Sequence, residues 1–211
     1  MHWEVNTTNS NKEIKNLSRD LNVCHKTASL LISRDVNTYN EAKVFFRPSL
    51  DHLHDPFLMK DMDKAVKRIL EAVTNDEKIL IYGDYDVDGT SSVALVCKYL
   101  RANSSNQIST YIPDRYDEGY GISFQSIDYA ADNDFSLIIA LDCGIKAIDK
   151  VSYANNKKID YIICDHHKPG LTIPDAVAIL NPLRDDCNYP FKYLCGCGIG
   201  FKLIQALSLS Q

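Results

Sequence analysis

The sequence lacks the signals that would send it into or across a membrane. No apolar run approaches the ~20 residues that a bilayer-spanning helix requires, and the opening stretch MHWEVNTTNSNKEIKN is polar, with no secretory hydrophobic region. A cytoplasmic location is expected, with no membrane partner. A disulfide framework is also missing: the seven cysteines are odd in number and irregularly spaced, which suits reduced thiols. Cys195 and Cys197 stand as C-x-C rather than C-x2-C, and no second pair complements them, so zinc is not expected there. Nor is there an excess of positive charge. Lys and Arg total 23 against 28 Asp and Glu, a formal net charge of −5, which argues against a protein that coats nucleic acid by charge alone. A metal-dependent enzyme stays compatible with that balance, because cations neutralise its carboxylates and a few local Lys or Arg handle phosphates. Internal repeats and low-complexity tracts are absent as well.

What remains is an ordinary globular composition, 45% hydrophobic and 24% charged over 211 residues. That length suits one domain with a small appendage. Residues 10–60 carry short amphipathic pieces, NKEIKNLSRDLNV, HKTASLLISR and TYNEAKVFFRPSL. In the last, Thr38 is placed as an N-cap with Glu41 three residues on, and the helix ends before Pro48. A longer helix is expected at roughly 60–73. Beyond it the pattern alternates: strands at 78–84, 107–113, 135–144, 159–165 and 175–182, and helices at 90–102, 123–133 (capped by Ser123), after Lys146, and at 198–209. Such alternation predicts βαβ units, hence an α/β fold with a parallel, Rossmann-like sheet flanked by helices. The expected division is a helical appendage at 1–60 and the α/β domain at 61–211.

The residues with chemistry follow three of those strands. GDYDVDG supplies Asp84, Asp86, Asp88 and Gly89; LDCGI supplies Asp142; CDHHKPG supplies Asp165, His166, His167 and Lys168. In an open α/β sheet, ligands bind beyond the carboxyl ends of the strands. Carboxylates crowded at one sheet edge repel one another unless cations are bound, and oxygen ligands with one or two imidazoles suit Mn2+ or Mg2+ better than zinc. Each stretch alone has a plainer reading. GDYDVDG resembles a polar turn or a calcium loop, though it lacks the Glu at position twelve of an EF-hand. LDCGI is compatible with a simple turn, and the histidine pair with a solvated loop. Ser91 and Ser92 follow Gly89 at the start of the expected helix, where they either hold a phosphate with the helix amides or cap the helix. Arg115, in IPDRYDEGYG, is placed for a substrate phosphate or for pairing with Asp114 or Glu118. Lys146 and Lys168 add positive charge near the motifs. Tyr116 and Tyr120 either stack on bases of a single strand or pack their loop.

Taken together, YGDYDVDGTSS, ALDCGI and ICDHHKPG resemble the first three motifs of the DHH phosphoesterases. The flanking stretches FFRPSLDHLHDPFLMKDMDKAV, YIPDRYDEGYGIS and LNPLRDDCNYPFKYLCGCGIGFKLIQAL resemble the RecJ-type branch of that family, single-stranded-DNA-specific 5′→3′ exonucleases of DNA recombination and repair. The resemblance runs from Trp3 to about Leu207. It implies two-metal hydrolysis of phosphodiester bonds with Mn2+, or Mg2+ in its place. Asp86 and Asp88 would each face one metal, Asp142 would bridge the two, His166 would be a ligand, and His167 would face the metals or the scissile phosphate. Asp84 matches an acidic position of the first motif and counts among the expected metal residues. Asp165 would orient a neighbouring histidine or a metal-bound water. Single-stranded DNA is the implied substrate, with a helicase and a single-strand-binding protein as implied partners.

The family's fourth metal-binding Asp, its second domain and its OB-fold are not present in these 211 residues. The chain is therefore expected to be an N-terminal part, weak or inactive by itself. Other DHH phosphodiesterases, acting on nanoRNA, cyclic dinucleotides or pyrophosphate, usually carry a His four residues before the first Asp of D-x-D; here that position is Tyr82. A non-catalytic scaffold on the same fold is the alternative of another class, and the presence of every acid and histidine in three motifs counts against it.

Overall fold

The computed structural model describes residues 10–210; residues 1–9 of the expected appendage, Trp3 among them, and Gln211 lie outside the described residues. The chain divides into two compact units, the first ending at Leu53 and the second beginning at His54. The sequence-based boundary at 60/61 falls a short way inside the second unit.

The first unit holds three helices, α1 (Asn11–Leu21), α2 (His25–Ile32) and α3 (Tyr39–Phe46). Leu17, Ala28, Leu31, Ile32, Val36 and Ala42 form its small core. Helix α3 starts on a capping box: Glu41 N donates to Thr38 Oγ1 while the Glu41 carboxylate accepts from Thr38 N, which satisfies two otherwise unpaired amides.

The second unit opens with α4 (Met62–Thr74) and then alternates β1 (Lys78–Gly83), α5 (Val87–Asn103), β2 (Ile108–Tyr111), α6 (Phe124–Asp132), β3 (Phe135–Leu141), α7 (Ile148–Asn156), β4 (Asp160–Cys164), β5 (Ala178–Leu180) and α8 (Gly196–Leu209). All pairings are parallel and the strand order is β2-β1-β3-β4-β5. The expected parallel sheet is thus present. Strand side chains alternate between its faces. Ile79, Ile81, Leu137, Ile139 and Leu141 pack with α4, α5 and α8, whereas Leu80, Tyr82, Ile138, Ala140, Tyr161 and Ile163 pack with α6 and α7. Burial on both faces explains why β1, β3 and β4 read as continuous apolar runs. Among the described residues no helix is long and apolar enough to cross a membrane.

Two helices start earlier than their apolar periodicity indicates. Helix α5 begins at Val87, because Asp86 Oδ1 accepts from Gly89 N at 2.9 Å and so caps it. Helix α8 begins at Gly196 with Cys195 as N-cap. Polar and glycine-rich first turns carry no periodic signal, so periodicity places both starts two or three residues late.

The chain leaves β1 toward β2 on one side and later returns to place β3 on the other. The carboxyl ends of β1 and β3 therefore flank the point where the strand order reverses, the place where sheets of this kind form a ligand crevice.

Candidate metal centre

After Gly83 the backbone turns sharply through Asp84 and Tyr85 into α5. Gly89, in the first turn of α5, lets the helix close onto this turn, because a Cβ there would lie 2.4 Å from the Asp84 carbonyl oxygen. Asp84 is buried, its Oδ1 accepting from Tyr85 N at 2.8 Å. Burial, with Asp86 adding like charge, pushes its pKa above the usual carboxylate range.

The ends of β3 and β4 are tied together beyond the ladder. Asp142 takes a left-handed backbone (φ 62°), and its N–H donates to Cys164 O at 2.8 Å. Asp165 N donates to Leu180 O at 3.0 Å. The Asp165 carboxylate, 1% exposed, accepts from His167 N (3.0 Å), His167 Nδ1 (2.7 Å) and Ile145 N (2.9 Å). Burial, the largest influence, raises its pKa, but the hydrogen bonds from His167 and Ile145 together bring it below the usual range. The carboxylate in turn raises the pKa of His167. Because a carboxylate only accepts, Nδ1 of neutral His167 carries the proton and Nε2 keeps its lone pair. Asn181 Nδ2 donates to His167 O at 2.9 Å and pins the loop from the next strand.

These turns bring acids and imidazoles into two metal-sized groups. Asp84, Asp86 and Asp142 form one; Asp142, His166 and His167 form the other; within each, one ligand atom per residue lies within 4.8 Å of the rest. Asp142 is common to both. It is 2% exposed, and its Oδ1 is buried with no hydrogen-bond partner. His166 Nε2 stands 3.1 Å from that oxygen, close enough for an ion pair but not oriented for a hydrogen bond. Burial, then the charges of Asp88 and Asp86, raise the Asp142 pKa to about 7. An unpartnered buried oxygen facing an imidazole nitrogen, among further carboxylates, is a donor set that a divalent cation would satisfy.

Asp88 stands beside the second group. Its Oδ2 lies 3.7 Å from His166 Nε2. Oδ2 accepts from Gly196 N at 2.7 Å and Oδ1 from Cys197 N at 2.8 Å, both in the first turn of α8. Burial is the largest influence and pushes the Asp88 pKa up; the amides of Cys197 and Gly196 outweigh it and the net shift is downward. Each oxygen retains a lone pair beyond the amide it accepts. Gly196, Cys197 and Asn181 escape a reading of the sequence, since nothing local distinguishes them from helix and turn residues.

At the rim, the Arg115 guanidinium lies 5.2 Å from the Tyr85 ring centre, and its charge is felt by Asp84. Asp114 and Glu118 are engaged elsewhere: Asp114 Oδ1 accepts from Tyr116 N and Asp117 N, and Glu118 accepts from Asp114 N, Tyr111 Oη and Ser123 Oγ. Tyr120 Oη lies 3.3 Å from His167 Nε2, and Tyr116 is almost fully exposed. Lys146 and Lys168 are exposed. A cavity of about 280 Å3 adjoins His167 and Asp165, with Ile122, Ile145, Lys146 and Tyr120 in its wall. Tyr82 is buried on the opposite face of β1, and its hydroxyl donates to Gly121 O at 2.6 Å, holding the rim loop.

The expectations for the two serines need correction. Ser91 is exposed but lies in the second turn of α5, past the amides that Asp86 caps. Ser92 is fully buried, and its hydroxyl donates to Asp88 O at 2.6 Å, so it neither caps the helix nor faces a phosphate.

Residues 78–211 match the family described as DHH family, N-terminal domain. The chain is 42% identical over 207 residues to the single-stranded-DNA-specific exonuclease RecJ of Bacillus subtilis, covering 98% of this chain and 26% of that protein. It is 38% identical over 149 residues to the Escherichia coli protein of the same name, covering 71% of this chain and 26% of the relative. The chain thus spans about a quarter of the length of these curated relatives. Among solved structures, an exonuclease RecJ bound to manganese aligns with a TM-score of 0.66 at 28% identity, over 72% of this chain and 38% of that one. RecJ from Thermus thermophilus in complex with Mn2+ aligns with a TM-score of 0.75 at 23% identity, over 96% of this chain and 28% of that one, and supports the fold.

Proposed function

The chain belongs to the DHH family, and from that premise we propose that it supplies the metal centre of a single-stranded-DNA-specific 5′→3′ exonuclease that serves DNA recombination and repair. The observation that carries this reading is Asp142, common to two ligand groups and with a buried, unpartnered Oδ1. The names and identities of the curated relatives support the substrate class. Residues 61–211 would be the catalytic part and the helices before them an appendage.

Two Mn2+ ions, or Mg2+ in their place, would be held by Asp84, Asp86 and Asp142 and by Asp142, His166 and His167, with Asp88 beside the second group. Bound there, a cation pair supplies a water of lowered pKa and neutralises charge on the attacking and leaving oxygens of an in-line displacement. The chain's own residues do the rest. Asp165 fixes the His167 ring with Nε2 directed outward, where its one lone pair would serve a cation or, without one, accept from Tyr120 Oη 3.3 Å away. Arg115, held over Tyr85, offers a cation to a phosphate oxygen at the rim, and Lys168 adds charge nearby. The cavity beside His167 is placed to take the nucleotide attached to the scissile phosphate. Tyr82 stands where nanoRNA, cyclic-dinucleotide and pyrophosphate hydrolases usually carry a histidine. It is a buried tyrosine whose hydroxyl is spent on Gly121 O, not a histidine offering a ring nitrogen, which favours the exonuclease. A cytoplasmic compartment, a helicase and a single-strand-binding protein belong to the same proposal.

The test is incubation of a protein of the curated relatives' length that carries this chain with 5′-labelled single-stranded DNA and Mn2+. Labelled mononucleotides are expected to be released from the 5′ end, duplex is expected to resist, and EDTA to stop the reaction. The 211-residue chain alone is expected to release little or nothing. Preferential hydrolysis of dinucleotides or pyrophosphate by the complete protein would sink the proposal.

A further inference from the structure

We propose that the first turn of α8 is a positioning element of the metal centre, with Gly196 seating the Asp142 carboxylate and the amides of Gly196 and Cys197 holding that of Asp88. The inference rests on the reading of the acid cluster as a metal site.

The sequence offers GCGIG only as the start of a helix. The structure inserts that start between two acids from different elements, Asp142 after β3 and Asp88 on α5. A Cβ at position 196 would lie 2.5 Å from Asp142 Oδ1, 2.6 Å from its Cβ and 2.7 Å from its Cγ. Carbon does not approach so closely, so only glycine fits while Asp142 keeps its place. Asp142 has little room to retreat, because its left-handed backbone is tied by its N–H to β4. The atom under pressure is the unpartnered Oδ1 of the residue that both ligand groups share.

The other acid is held by attraction. Both Asp88 oxygens accept α8 amides, at 2.7 and 2.8 Å. These are among the amides that a helix leaves unpaired at its N-terminus, where a negative charge is also favoured by the helix dipole. The position of α8 is set independently of the acids. Ile199, Leu203, Ala206 and Leu207 are buried in the core that also contains Val93, Val96 and Leu100 of α5. Core packing therefore fixes α8, and its first turn fixes the spacing of two acids that would otherwise repel. None of these α8 groups need touch substrate.

Gly196→Ala and Gly198→Ala make the comparison. At 198 a Cβ would meet first the tip of the flexible Leu194 side chain, at 3.2 Å, which must give by a few tenths of an ångström, so the control adds the same methyl to the same turn without touching either acid. Mn2+ binding is followed by calorimetry and by electron paramagnetic resonance, which separates an exchange-coupled pair from isolated ions. Wild type and Gly198→Ala are expected to give the coupled pair. Gly196→Ala is expected to lose it, with affinity falling by about 10- to 100-fold, as when groups that orient metal ligands are altered. Should Gly196→Ala fail to fold, Cys197→Pro deletes one amide donor at a first-turn position that tolerates proline, and the same loss is expected. A purely structural role would lower the melting temperature and leave the coupled signal of the folded fraction intact, which overturns the inference. So does an unchanged pair in a folded Gly196→Ala or Cys197→Pro variant. Absence of Mn2+ binding by the wild type would instead defeat the metal reading beneath it.

Discussion

Asp142→Asn is expected to remove more than about 100-fold of the Mn2+-dependent hydrolysis, beyond the usual cost of altering a group that merely orients a ligand, and yet to stabilise the metal-free protein. Both effects come from one carboxylate. Asp142 is common to the two ligand groups, and an amide there removes the negative charge that would bind cations to both. Without cations that charge is a burden. Burial and the neighbouring Asp88 and Asp86 raise the Asp142 pKa from 3.8 to about 7. A carboxyl raised in the folded state is favoured there in its protonated form, so its ionisation weakens the fold as pH climbs from the unfolded value toward the folded one. The asparagine never ionises. At pH 8 the metal-free variant should therefore melt several degrees above wild type, and at pH 4 the difference should nearly vanish. Saturating Mn2+ should reverse the order, because cations stabilise only the protein that binds them. Thermal melts at two pH values with and without Mn2+ check this; a variant less stable than wild type at pH 8 without metal would refute it.

Asp165→Asn is expected to do the reverse to stability while also harming activity. The Asp165 carboxylate accepts three hydrogen bonds, two from His167 and one from Ile145 N. An asparagine amide must turn its own donor toward one of those donors. Each hydrogen bond to a buried charge contributes about 1.5–3 kcal/mol, so the variant should melt well below wild type at neutral pH. The Asp165 pKa is depressed in the fold, so the wild-type advantage is present above the unfolded pKa and fades as pH falls through the acid range. With the His167 tautomer and ring no longer fixed, hydrolysis should fall by about 10- to 100-fold. Two buried acids just past the ends of adjacent strands thus give opposite thermal shifts on the same change, a pattern that a general loss of packing cannot produce.

The fold class was legible because β1, β3 and β4 are buried on both faces and each ends at a turn residue, while the intervening helices keep their period. The α3 capping box was legible from Thr38 and Glu41, since caps are set by neighbours in sequence. The strand ends alone indicated that Asp84, Asp142 and Asp165 face one edge of the sheet. Which acids share a ligand position was not legible, because the order β2-β1-β3-β4-β5 comes from pairings that periodicity does not encode. Ser92 misled for a related reason: the start of α5 is fixed by Asp86, not by the first apolar position, and that shift carries Ser92 to the buried side. Gly196 gave no signal, since its role depends on a side chain that follows a different strand.

The bond from Gly196 N to Asp88 spans 108 positions of the chain. The entropy of closing so long a loop grows only with the logarithm of its length, so the finished site pays little for it. The time needed is another matter, because contacts of high sequence separation form late in folding. While the chain is being made, Asp84, Asp86, Asp88, Asp142 and both histidines are synthesised before α8 exists to space them. The acids would meet cations in earnest only after α8 docks. A metal centre spaced in that order would stay disarmed on the nascent chain at least until α8 has docked.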